Sequence, residues 1–482
     1  YNALAREANM SIPHKFASRG ITVIPFDFIP FDYENLGLHM HWGIGKIALQ
    51  VSKFVKKNPQ LFGVYITNFS CGPDSFLVPY FRDEMGTKPS LTLELDSHTA
   101  DVGLNTRIEA AVDIIRYYRQ LKLDAKEEIN DFVTAKTIYK GKDVYVRDSH
   151  GEELYIKDKN VTFLFPMMGR FLIDAGVASL NGQGFNAKMV DFPTHESLAI
   201  GKGNSSCKEC LPYIILVGSL LEYVKKYKKP EERVAFFVVG DPAPCRVEQY
   251  QVGIEKVLKK NKIEDVAVLT MQSTEGFAGM GLMPMLNVWK GFILGDVFSQ
   301  IHSAILTLAK DKKSALEIFE GEWAKILDNF RGKEKISLMK RLNLAAKELN
   351  KIELNKTIEE AMRITITGEM YVRNEEFSRK RIEETLANMG FVARITPLIE
   401  WIYYIDYMMW KNFAKDDTSI FKRIFFLIKR KVESSFERKI KKIFSKNTKL
   451  YEYDPIDIKA VLKSSEKLVN KKLIGDVGIT IG

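Results

Sequence analysis

The chain is 482 residues long, 46% apolar and 27% charged, with a formal charge of +10 and four cysteines. That length and apolar content bury a sizeable core and divide into roughly three domains of about 150 residues, which excludes a disordered or fibrous chain. Cys71, Cys207, Cys210 and Cys245 are too few and too scattered for a disulfide scaffold, so the expected compartment is the reducing cytoplasm.

No run reaches the ~18 consecutive uncharged apolar residues of a membrane span, and "CLPYIILVGSLL" stops at Glu222, so no transmembrane segment is expected. The opening at Tyr1, without Met, basic leader or cleavage site, reads as the start of a piece of a longer protein.

In chain order, "GITVIPFDF" at 20–28, "LFGVYITNF" at 61–69 and "SLTLELD" at 90–96 read as strands. "SIPHKFASRG", "WGIGKIALQVSKFVKKN" and "NTRIEAAVDIIRYYRQL" carry helical spacing. Strands alternating with helices predict a parallel sheet, and residues 1–135 form a first α/β module containing Cys71. "TIYKGKDVYVRDSHGEELYIKD" alternates around Gly141 and Gly151, which predicts a β-meander, an insert or linker, over 136–160.

The plan then restarts. Residues 161–284 form a second α/β module with Cys207, Cys210 and Cys245, residues 285–360 a helical subdomain, and 361–410 a partial third α/β unit. "FGVYITNFSCGPDSFLVPYF" and "VAFFVVGDPAPCRVEQYQVGI" share one order of apolar strand, polar Gly/Pro turn, cysteine and helix. "ITITGEMYVRNEEFS" opens the third copy without the cysteine.

The last part, 411–482, is a basic helical segment. Residues 411–450 hold 13 Lys and Arg against 4 Asp and Glu, so nearly the whole positive excess belongs there and no nucleic-acid partner is expected. Ile424, Phe425, Leu427, Ile428, Val432, Phe436, Ile440 and Phe444 recur with a helical period. They predict a helix packed by that stripe, with a docking face for an acidic partner or membrane as the alternative.

In parallel sheets ligands gather at the carboxyl ends of strands, facing helix N-termini. Cys71 and Cys245 fall at such positions, and Cys210 precedes a helix begun by Leu211 and Pro212. Helix starts favour thiolate, and thiolates remote in sequence but gathered at one cleft suit a 4Fe-4S cluster. Cys207 and Cys210 also have the spacing of half a zinc site or a redox dithiol, and each cysteine is equally readable as buried packing. His39, His41, His98 and His195 read as structural histidines. "GFAGMGL" and "GKGNSS" match neither dinucleotide nor P-loop patterns. Asp96, His98, Thr99, Asp101 and Arg107 read as a capped helix start, with Asn105 as N-cap, or as a polar cleft wall.

At these residues the chain resembles a known family. "NFSCGPDSFLVPYFRDEMGTKPSLTLELDSHTADVGLNTRIEAA", "CKECLPYIILVG", "PAPCRVEQY" and "ITITGEMYVRNEEFS" are similar to the large activase-related proteins of anaerobes, relatives of the 2-hydroxyacyl-CoA dehydratases. The likeness runs from Tyr1 to about Tyr407. It implies repeated Rossmann-like modules and an iron-sulfur cluster, 4Fe-4S or part of a double cubane, held by Cys71, Cys210 and Cys245. Cys207 and "CRVEQY" depart from the family's pattern. The implied activity is low-potential electron transfer or reductive dehydration, a lyase or an ATP-coupled reductase component. The implied partners are an ATP-dependent activator or ATPase-like domain and an acyl-CoA substrate. Phe69, Phe76 and Tyr250 would wall the cluster off from water. The alternatives are a non-catalytic scaffold docking a partner and a zinc-bound structural protein using Cys207 and Cys210.

Overall fold

Short apolar runs followed by Gly/Pro turns and helical periodicity build parallel sheets covered by helices. The computed structural model describes residues 5, 8–31, 34–37, 39–120, 131–141, 143–240, 245–272, 282–411, 413, 420–470, 472, 473, 475 and 477–481. These form a mixed α/β protein with parallel-sheet units and helical regions. "GFAGMGL", the turn 241–244 and residues 414–419 of the basic segment fall mostly or wholly outside the described residues.

The first unit runs α1 (Ile12–Ala17), α2 (Gly43–Lys57), β1 (Gly63–Thr67), α3 (Asp74–Met85), β2 (Ser90–Glu94) and α4 (Asp101–Gln120). β1 and β2 pair in parallel, Gly63 opposite Ser90 through Thr67 opposite Glu94. The strand expected at 20–28 is absent. That segment is irregular and ends in a 3₁₀ turn, Phe26–Phe28, with Val23 and Ile24 exposed, and Pro25 cannot donate to a ladder.

β3 (Lys136–Lys140), β4 (Asp143–Arg147) and β5 (Glu153–Tyr155) form an antiparallel meander. The second unit follows as β6 (Val161–Phe165), α5 (Arg170–Asn181), β7 (Ala187–Met189), α6 (His195–Gly203), α7 (Leu211–Lys226), β8 (Arg233–Gly240), α8 (Tyr250–Lys260) and β9 (Val266–Gln272). Its parallel sheet has the order β7-β6-β8-β9, and all five residues of β6 are buried, as an unbroken apolar run covered on both faces should be. The meander lies beside β9, where Thr137 Oγ1 donates to Val268 O, and the Arg233 guanidinium ties it to β8 through Asp148 at 2.8 Å.

The helical region comprises α9 (Leu282–Leu308), α10 (Lys312–Phe330) and α11 (Leu338–Leu349). The third parallel pair, β10 (Arg363–Ile366) and β11 (Val392–Ile395), encloses α12 (Met370–Asn374) and α13 (Ile382–Asn388). α14 (Leu398–Trp410), α15 (Ile420–Asn447), α16 (Ile458–Ser465) and α17 (Val477–Ile481) complete the chain. Pro284–Leu308 of α9 is long and apolar enough to cross a membrane, but 67% of its most apolar window is buried inside the protein, as in a core helix.

α15 packs by the second half of the expected stripe, Phe436, Ile440 and Phe444, but not by the first. Ile424, Phe425, Ile428 and Val432 are exposed, and the buried face is Phe426, Lys429, Glu433, Glu437, Ile440, Lys441 and Phe444. Opposite charges neutralise one another on that face: Lys429 meets Asp406 at 2.6 Å and Lys441 meets Glu437 at 2.7 Å.

Asp296 of α9 accepts the backbone N-H groups of Leu398 and Ile399 at 3.0 and 3.1 Å and so caps α14. Burial pushes its carboxyl up to about 6. An unfolded aspartate titrates near 3.9, so the native state holds this proton more tightly, and stability falls as pH rises from about 4 to about 6. Thermal melts of Asp296→Asn across that range should lack this contribution, worth about 2–3 kcal/mol. Parallel curves for the two proteins would contradict it.

Candidate functional site

Each cysteine region is shaped by a strand end or a helix start. After β1 the chain passes through Phe69 and Ser70, both left-handed at φ 63° and 50°, and reaches Cys71 just before α3. Two successive non-glycine residues in that region store strain, which persists where surrounding contacts over-determine it. Here Ser70 Oγ donates to Glu94 at 2.8 Å, while Lys208 lies 3.7 Å from Glu94 and 5.4 Å from the Phe69 ring centre. Cys210 is the N-cap of α7, with Pro212 in its first turn. Cys245 precedes a 3₁₀ turn, Arg246–Gln249, that runs straight into α8.

The helices following Cys71, Cys210 and Cys245 meet in an aromatic hub. Phe76, Tyr213 and Tyr250, one from each, pair with ring centres 5.1, 6.2 and 5.4 Å apart, and all three are buried. Arg246 Nη1 donates to Ser75 Oγ at 3.3 Å, and Ser75 Oγ donates to Gly72 O at 2.7 Å, which joins the Cys245 and Cys71 loops above the hub. The Tyr250 hydroxyl faces Cys210. Cys207 is turned elsewhere: it is exposed and left-handed at φ 60°, and its Sγ contacts Lys202 O at 3.5 Å.

Two expectations are corrected. The helix start does not make Cys210 a thiolate, because burial pushes its thiol up, outweighing Tyr250 and Arg246. Phe69 is no dry wall, being 55% exposed, whereas Phe76 and Tyr250 are buried. The polar group after β2 resolves as a local turn. Thr99 and the His98 backbone N-H bond to Asp96, Asp101 pairs with Lys15, and α4 begins at Asp101, so Asn105 is not its N-cap.

The four cysteines make no disulfide. Among the described residues, no three donors that include a sulfur lie close enough to hold a single ion. The Cys71, Cys210 and Cys245 thiols stand at strand ends and helix starts, with the Arg246 cation near Cys210, but among the described residues the cysteines form no cluster-like arrangement, so the four-sulfur cage of a 4Fe-4S cluster is not assembled by them. Three sulfurs are one short of the usual four, so one iron would take another ligand.

Beside this hub lies a group that sequence reasoning set aside. His39 Nε2 stands 3.6 Å from Glu248 Oε2, and one nitrogen of each of His39 and His41 and one Glu248 oxygen all lie within 4.8 Å of one another. Burial, then His39, pulls the His41 imidazole down to about 4. The signal was "HMH", two histidines on one face of an extended segment, but their partner is some two hundred residues away. His195 packs against the Phe377 ring at 5.2 Å.

At the carboxyl ends of β6 and β8 an apolar cavity is lined by Phe165, Val239, Trp289, Phe292, Met370 and Trp401. Glu369, next to Met370, lies near Cys210. No protein-family model matches the chain, and neither a curated protein nor a solved structure does.

Proposed function

We propose that this chain is a cytoplasmic iron-sulfur protein of Rossmann-like repeats, serving low-potential electron transfer or reductive dehydration of an acyl-CoA, with Cys71, Cys210 and Cys245 as ligands. The observation that carries the reading is the shared aromatic hub, to which the helices that follow Cys71, Cys210 and Cys245 each contribute one ring. Supporting it are the Arg246 cation near Cys210 and the apolar cavity at neighbouring strand ends. The cluster, when bound, supplies the electron. The chain's own groups position and tune it: Tyr250 and Arg246 stabilise charge at Cys210, and the buried rings of Phe76 and Tyr213 exclude water beneath it.

Anaerobic reconstitution with iron and sulfide tests this. The chain should take up about four irons and gain a broad visible absorbance band. Cys71→Ser, Cys210→Ser and Cys245→Ser should each lose most of both, and Cys207→Ser should retain them. Colourless, iron-free protein from anaerobic preparation, or loss confined to Cys207→Ser, would overturn the assignment.

A further inference from the structure

We propose that His39, His41 and Glu248 form a binding site for a divalent transition-metal ion, made of two imidazole nitrogens and one carboxylate oxygen with a coordination position left open. The two histidines flank Met40 in the non-helical segment that leads into α2. Residues two apart on an extended chain share a face, and Met40 turns to the other side, against the core beneath. Glu248 arrives from the 3₁₀ turn before α8. The neighbouring Gln249 fixes one segment against the other, its side-chain amide lying 3.1 Å from His41 Nδ1 and 3.4 Å from His39 O.

The spacing is close to what an ion demands. Bonds of about 2.1 Å in a tetrahedron set ligand atoms about 3.4 Å apart. The His39–Glu248 pair already stands at 3.6 Å, and the third donor, within 4.8 Å of both, needs a shift of roughly 1.4 Å or less. A His39–Glu248 ion pair by itself would leave His41 unexplained, because its Nε2 is buried with no hydrogen-bond partner. A buried polar atom in that state is expensive, and reorientation onto a metal would satisfy it. Access is built in: the Glu248 side chain is 6% exposed and the His39 side chain 64%, so an ion enters from the His39 side.

Two nitrogens and one oxygen favour zinc or ferrous iron over the hard oxygen-seeking cations. Three protein ligands leave room for water or a substrate oxygen, the arrangement of reactive rather than structural metal centres. With one carboxylate among the ligands the bound ion stays net positive and attracts an anionic oxygen. The donors contain no sulfur, so this site stands or falls separately from the cysteine reading.

Titration of the iron-free chain with Zn²⁺ and Co²⁺ tests the site. One Zn²⁺ should bind per chain, and equally well after the exposed Cys71, Cys207 and Cys245 are all replaced by serine. His39→Ala, at an exposed position that leaves folding intact, and Glu248→Gln should each weaken binding at least about tenfold. The Trp42 ring lies 4.5 Å from that of His41, so Co²⁺ should quench fluorescence, and Trp42→Phe should remove that response. Unchanged Zn²⁺ affinity in His39→Ala, loss of binding in the serine variant, or no zinc uptake at all would overturn the proposal.

Discussion

Gly218→Ala should lower the unfolding midpoint by the equivalent of at least about 3 kcal/mol, the upper end of ordinary overpacking. A methyl group at 218 would stand 1.8 Å from Ser197 O, and one at Gly201 would stand 1.9 Å from Ile214 O, so α6 and α7 cross backbone against backbone with a glycine on each. Main-chain carbonyls cannot swing aside as a flexible side chain can. The same crossing buries the bond from Ser197 Oγ to Glu222, which adds a polar penalty if the helices part. Because α7 begins at Cys210 and carries Tyr213, the substitution should also spoil iron uptake in whatever folded fraction remains. Gly203→Ala is the control: nothing lies within 4 Å of its added methyl, so stability should hold or rise slightly. Urea unfolding followed by circular dichroism compares them, and equal midpoints for wild type and Gly218→Ala would contradict the tight crossing.

Lys429→Met should cost about 3–5 kcal/mol, the loss expected when a buried ion pair is left half-made. Lys429 Nζ lies 2.6 Å from Asp406 and 3.6 Å from Glu433, and all three side chains are almost wholly buried. Burial, and then repulsion from Asp406, holds the Glu433 carboxyl well above the usual carboxylate range. The ammonium also sits 4.1 Å from the Trp289 ring centre, a contact that methionine partly replaces. The damage is therefore chiefly the loss of the cation that Asp406 faces at 2.6 Å in a buried site. Adding Asp406→Asn should recover most of it, and the double-mutant cycle should show strong coupling. Additive losses would mean that the pair is not the source.

Much of this architecture was legible where periodicity and punctuation agree. β1 lies within the run that predicts it, and α3, α7 and β8 overlap theirs, because each combines a strand or helix period with Gly, Pro or a cap near one end. The segment at 20–28 misled because its apolar run is broken by Pro25, which cannot donate to a ladder, and Val23 and Ile24 stay exposed. In α15 the charges that are buried, Lys429, Glu433, Glu437 and Lys441, look like a solvated face until their partners are seen. The positions of Cys71, Cys210 and Cys245 at element boundaries were readable. Their common hub was not, although an aromatic residue three to five places after each cysteine hinted at it. His39 and His41 were read as structural because Glu248 is distant along the chain.

The convergence of Phe76, Tyr213 and Tyr250 also dictates an order of events during synthesis. Phe76 and Tyr213 can pair earlier, but the hub is complete only once the segment around Tyr250 has emerged and docked. Pairings so remote along the polypeptide form late and slowly. A chain that ends before residue 250 would therefore lack one of the three rings and should leave Phe76 and Tyr213 without their third partner.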